Sequence, residues 1–73
     1  MNILVINCGS SSLKADVIDT INKKTIIELD AERLPLTPII KLNETDLEYT
    51  GNLELNAILE FCLTEIKTKL NGI

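Results

Sequence analysis

The three serines of the 73-residue chain are consecutive, Ser10-Ser11-Ser12, and they stand between Gly9 and Lys14. A tight turn of glycine and small residues exposes successive backbone N–H groups, and hydroxyls beside them add donors. Such a turn can cradle the oxygens of a phosphate. Lys14, two residues beyond Ser12, falls on the same face of an extended strand and sets a positive charge beside that cradle. The pattern is not a P-loop, which needs a second glycine directly before the lysine, a Ser or Thr directly after it, and a following helix. Here Leu13 and Ala15 flank Lys14, so a hairpin would hold the phosphate. The same residues also suit an ordinary turn, with Gly and Ser as turn formers and Lys14 as a solvated strand residue.

The flanking segments decide how such a turn is held. Ile3-Leu4-Val5-Ile6 is short, uninterrupted and rich in β-branched residues, which predicts a strand buried on both faces at the centre of a sheet. After the turn the pattern alternates: Leu13, Ala15 and Val17 on one side, Ser12, Lys14 and Asp16 on the other. That is the mark of a half-buried second strand. A polar connection over Asp19–Lys24 leads to Ile27, Leu29 and Ala31 alternating with Glu28, Asp30 and Glu32, a third strand antiparallel to the second. Pro35 and Pro38 end it, and Ile39, Ile40 and Leu42 predict a short fourth strand of edge type. Thr45-Asp46-Leu47-Glu48 matches a capping box and predicts a short helical turn.

From Asn52 the period becomes helical, with Leu55, Ile58, Leu59, Cys62, Leu63, Ile66 and Leu70 on one apolar stripe. Thr50 or Asn52 is the expected cap, Glu54 lies near the positive end of the dipole and Lys67 and Lys69 near the negative end. Gly72 suits a left-handed C′ position. The resulting β-β-β(-β)-α order predicts an α+β or α/β unit whose single helix leaves one sheet face uncovered. That shortfall points to a piece of a larger domain.

Composition narrows the possible partners. Apolar residues make up 45% of the chain, which suits folding, and with only Tyr49 and Phe61 as large rings the core must be built from Ile, Leu and Val. A net charge of −4 provides no footprint for a nucleic-acid backbone. No apolar run is long enough to span a membrane, and no secretory leader is evident, so the Asn43-Glu44-Thr45 sequon has no use. Cys8 and Cys62 form no C-x-x-C pair and read as reduced cytoplasmic thiols. Cys8 lies beside the turn with no basic cluster to activate it and is expected to be a small buried filler, while Cys62 falls on the helix stripe as packing. Glu28, Asp30 and Glu32 could suggest a divalent-metal patch but read more simply as a solvated strand face.

Val5-Ile6-Asn7-Cys8-Gly9-Ser10-Ser11-Ser12-Leu13-Lys14 resembles the N-terminal signature of the acetate kinase family, an apolar strand followed by N-x-G-S-S-S-x-K a few residues from the starting Met. The resemblance implies a place in the acetate and sugar kinase, Hsc70 and actin superfamily. The fold would be a partial ribonuclease-H-like, actin-like ATPase core, opening with antiparallel hairpins followed by one helix. It implies ATP and Mg²⁺ as cofactors and reversible transfer of the γ-phosphoryl group to acetate, giving acetyl phosphate and ADP in the cytoplasm, by a full enzyme that is a homodimer. It places Asn7 at the metal, Lys14 on ATP, and Gly9, Ser10 and Ser12 in the phosphate-facing turn. The family also uses arginines and histidines on the carboxylate and the moving phosphoryl group. This chain has no histidine, has Arg33 alone, and lacks the family's H-R-x-V-H-G-G segment. Residues 1–73 therefore read as the first part of the first ATPase domain, with no catalytic residue of its own and the remainder of the kinase chain as its partner. A non-catalytic binding or assembly module that kept the fold, and a fragment of a propionate or butyrate kinase, are the alternatives.

Overall fold

A computed structural model describes residues 1–72 as a small α+β domain. Five strands, β1 (Asn2–Cys8), β2 (Leu13–Asp19), β3 (Lys24–Glu32), β4 (Ile39–Leu42) and β5 (Thr45–Leu47), precede one helix, α1 (Leu55–Asn71). All neighbours pair antiparallel in the order β1-β2-β3-β4-β5, so each strand lies beside the one before it in sequence. The alternation in β2 and β3 has the predicted outcome: Leu13, Ala15, Val17, Ile27, Leu29 and Ala31 are buried on one face. Ile40 and Leu42 extend that face, and Ile58, Cys62 and Ile66 of α1 close it from above. The helix stripe is thus buried along its centre, while Leu55 at its start is exposed.

Several expectations are corrected. β1 is not central: it forms one edge of the sheet, and every one of its residues is exposed. The helix packs chiefly on β3, and Leu4 and Ile6 of β1 are left open on the inner face and Ile3 and Val5 on the outer one. Cys8, at its end, is exposed and is no buried filler. β4 is not an edge strand, because β5 pairs outside it. The capping-box residues Thr45, Asp46 and Leu47 form that strand and no helical turn. The cause is the two-residue link Asn43-Glu44, in which both residues have positive φ (49° and 67°), the handedness that joins twisted strands tightly.

The ends of α1 differ from expectation too. Glu54, not Thr50 or Asn52, occupies the N-cap and makes no side-chain cap bond; the Asn52 side chain instead accepts the Glu54 amide at 2.9 Å. Gly72 has φ −89°, a right-handed value, so it ends the helix without the left-handed conformation. Tyr49 fastens the approach to the helix, its ring edge-on to Phe61 at 4.9 Å and its hydroxyl donating to the Asn52 carbonyl. No helix among the described residues is long and apolar enough to cross a membrane.

Candidate functional site: the β1–β2 turn

The β1–β2 turn is closed by one backbone bond, from the Gly9 amide to the Ser12 carbonyl at 2.8 Å. That bond consumes one of the donors a phosphate could use. The amides of Ser10, Ser11 and Ser12 have no protein acceptor among the described residues, and these three serines are exposed. From the other side the Leu34 amide donates to the Ser11 carbonyl at 2.9 Å, so the loop after β3 buttresses the turn. Gly9 allows a close approach: a Cβ there would lie 2.8 Å from the Ser12 hydroxyl oxygen, and the hydroxyl would have to rotate away.

Beside the turn lies a concavity of about 320 Å³ lined by Asn7, Gly9, Ser12 and Lys14 together with Asp30 and Glu32. The register explains the grouping. Asn7 pairs with Lys14, and Lys14 with Asp30, and residues directly opposite in an antiparallel ladder project from the same face. The row continues through Lys41 to Asp46, so cation and anion alternate across four strands. Of the five residues singled out by sequence, Asn7, Gly9, Ser12 and Lys14 meet at one place. Ser10 belongs to the turn but does not line the concavity.

Lys14 is about half exposed, and its Nζ lies 3.6 Å from Glu28 Oε1, an ion pair at the surface. Exposed pairs of this kind contribute about 0–1 kcal/mol, so the ammonium can leave Glu28 for a more highly charged anion at little cost. Glu28 is itself held in place. Its amide donates to Asn43 Oδ1 and its carbonyl accepts from the Asn43 amide, both at 2.8 Å. One oxygen of Asp16, on the same face, is buried without a hydrogen-bond partner among the described residues.

The carboxylates are what the sequence reading undervalued. Glu28, Asp30 and Glu32 form the solvated strand face that the alternation predicts, yet Asp30 and Glu32 also stand at the concavity and Glu28 holds Lys14. The available signal was register: once β2 and β3 are paired with Lys14 opposite Asp30, the acidic strand necessarily borders the turn. The donors fit the terminal phosphates of a nucleotide, which would meet three free amides, the Ser12 hydroxyl and the Lys14 ammonium. They fit Mg²⁺ less fully. No group of three His, Cys, Asp or Glu side chains is placed to hold a metal among the described residues. Mg²⁺ takes few protein ligands and keeps several waters, so Asn7 would meet it beside the phosphates and not as part of a cage.

Comparisons with protein-family models, with curated proteins and with solved structures return no match.

Proposed function

We propose that this chain is the phosphate-binding opening segment of an acetate-kinase-like phosphotransferase with an actin-like ATPase core. ATP phosphates would lie on the β1–β2 turn, with Mg²⁺ near Asn7. The observation that carries this reading is the convergence of Asn7, Gly9, Ser12 and Lys14 on one concavity, with unpaired amides at Ser10–Ser12 beside it. Phosphoryl transfer gains its rate from positioning and from neutralising charge on the moving group, and donors fixed at a strand end serve both purposes. Lys14 supplies charge, and the turn supplies direction.

The chain holds no histidine, and its single arginine, Arg33, does not line this concavity, so the groups that would grip acetate and steady the moving phosphoryl belong to the remainder of a kinase. On its own the chain binds and does not transfer. A second reading, a non-catalytic binding module, is favoured by the closed core between the inner sheet face and α1, which gives the chain a fold of its own.

Thermal unfolding with ligands tests the proposal. Mg·ATP should raise the unfolding temperature of the chain, adenosine should not, and Lys14→Ala should weaken the ATP effect roughly tenfold in apparent affinity, the worth of one charge-assisted contact. Equal responses to adenosine and ATP would contradict it, and so would acetyl phosphate synthesis by the 73-residue chain alone.

A further inference from the structure

We infer that Glu28 parks Lys14 away from the β1–β2 turn and thereby sets the affinity of the phosphate site, as a positioning residue that acts through the lysine. This rests on the phosphate reading above and deepens it. Going away from the turn, the outer face of β2 presents Lys14 and then Asp16. β3 runs beside them with Asp30 opposite Lys14 and Glu28 opposite Asp16, while Glu32 lies toward the turn. Lys14 thus has three carboxylates of β3 within its neighbourhood: one toward the turn, one straight across and one away. Its ammonium pairs with the one away, Glu28, at 3.6 Å and makes no other ion pair among the described residues. Asp30 and Glu32 line the concavity beside the turn, and Glu28 does not. Alternate residues of a strand stand about 7 Å apart, so the pair draws the charge toward the middle of the sheet.

The surroundings explain why Glu28 holds the ammonium. Lys14 and Glu28 are diagonal neighbours across two strands, a separation that two long side chains bridge. Asn43 fixes the Glu28 backbone from both sides, through its Oδ1 on the Glu28 amide and its amide on the Glu28 carbonyl, each at 2.8 Å. Asp16 adds a second carboxylate on that side of Lys14, with one oxygen buried and without a hydrogen-bond partner among the described residues. On the turn side the exposed amides of Ser10, Ser11 and Ser12 are donors, as the ammonium is, and give it nothing to bind until an anion occupies them. An arriving phosphate must therefore take Lys14 from Glu28. Apparent affinity falls by the fraction of chains whose ammonium is free, and for an exposed pair that factor is at most about five.

Titration with Mg·ATP at low ionic strength, where surface pairs are strongest, tests this through the amide shifts of Ser10, Ser11 and Ser12. Glu28→Gln, at a side chain 53% exposed, should fold as the parent does and bind about three- to fivefold more tightly. In a Lys14→Ala background the same substitution should leave affinity unchanged, because nothing remains to be parked. Glu32→Gln removes an equal charge at the concavity itself, and whatever gain it gives should persist in Lys14→Ala. A Glu28→Gln gain that persists there too would reduce Glu28 to general charge repulsion and overturn the inference. If Mg·ATP shifts the turn amides and Lys14→Ala weakens the effect, yet Glu28→Gln binds no tighter or binds more weakly, the inference falls and the phosphate reading stands. If Mg·ATP leaves the turn amides of the parent chain unmoved, both fall.

Discussion

β1 and β3 are both rich in isoleucine and leucine, yet they have opposite fates. β3 places Ile27, Leu29 and Ala31 in the core at 0% exposure, while Ile3, Leu4, Val5 and Ile6 of β1 are each more than a third exposed. The difference lies in what each strand has above and beside it. β3 is third of five and lies beneath α1, whereas β1 has one neighbour and no helix over it. Apolar content therefore states what a strand could bury, and neighbours decide what it does bury. The candidate site sits at the end of the strand with the fewer constraints, where the loop before β4 and the acidic face of β3 do the positioning.

Paired truncations give the strongest test of that contrast. Leu29→Ala should cost about 2–5 kcal/mol in chemical denaturation, through lost burial and the cavity left behind. Leu4→Ala, at a position already 43% exposed, should cost about 1 kcal/mol or less. Similar losses would mean that β1 is covered in solution and would contradict the contrast.

The two cysteines report the same division. Burial, with a smaller contribution from Glu65, pushes the Cys62 thiol up to about 11 from its ordinary value of 9.0. The folded state favours the neutral thiol, so this contribution to stability is fully present below pH 9 and is lost as the pH rises through about 11. Denaturation midpoints should decline across that window, and Cys62→Ala should flatten the decline. At neutral pH a thiol reagent should label Cys8 rapidly and Cys62 only on unfolding.

A smaller effect is expected at the β4–β5 link, which lies outside both the core and the candidate site. Glu44 holds φ 67°, a conformation that costs a side-chain-bearing residue about 1–2 kcal/mol, so Glu44→Gly should stabilise the chain by up to about 1 kcal/mol. A loss of stability would show that the Glu44 side chain makes a contribution larger than that strain.

Much of the domain was legible in sequence because alternation is a local signal. Leu13, Ala15 and Val17 in β2, Ile27, Leu29 and Ala31 in β3, and Ile58, Cys62 and Ile66 in α1 all face the core as their spacing predicts. β1 was misplaced because an unbroken apolar run says nothing of how many neighbours it has. β5 was missed because Asn43-Glu44 lacks the glycine that usually marks a tight hairpin, and the capping-box pattern read plausibly in its place. At the site, Asn7, Gly9, Ser12 and Lys14 were visible as a motif. The border formed by Asp30 and Glu32 depends on strand register, which no local pattern carries.

Backbone amide resonances followed through a titration with Mg·ATP measure phosphate binding at the turn most directly. The largest shifts should fall at Ser10, Ser11 and Ser12 and should shrink in Lys14→Ala. Shifts of equal size in Lys14→Ala, or shifts centred on the far end of the sheet with these three amides unmoved, would contradict a phosphate site between β1 and β2.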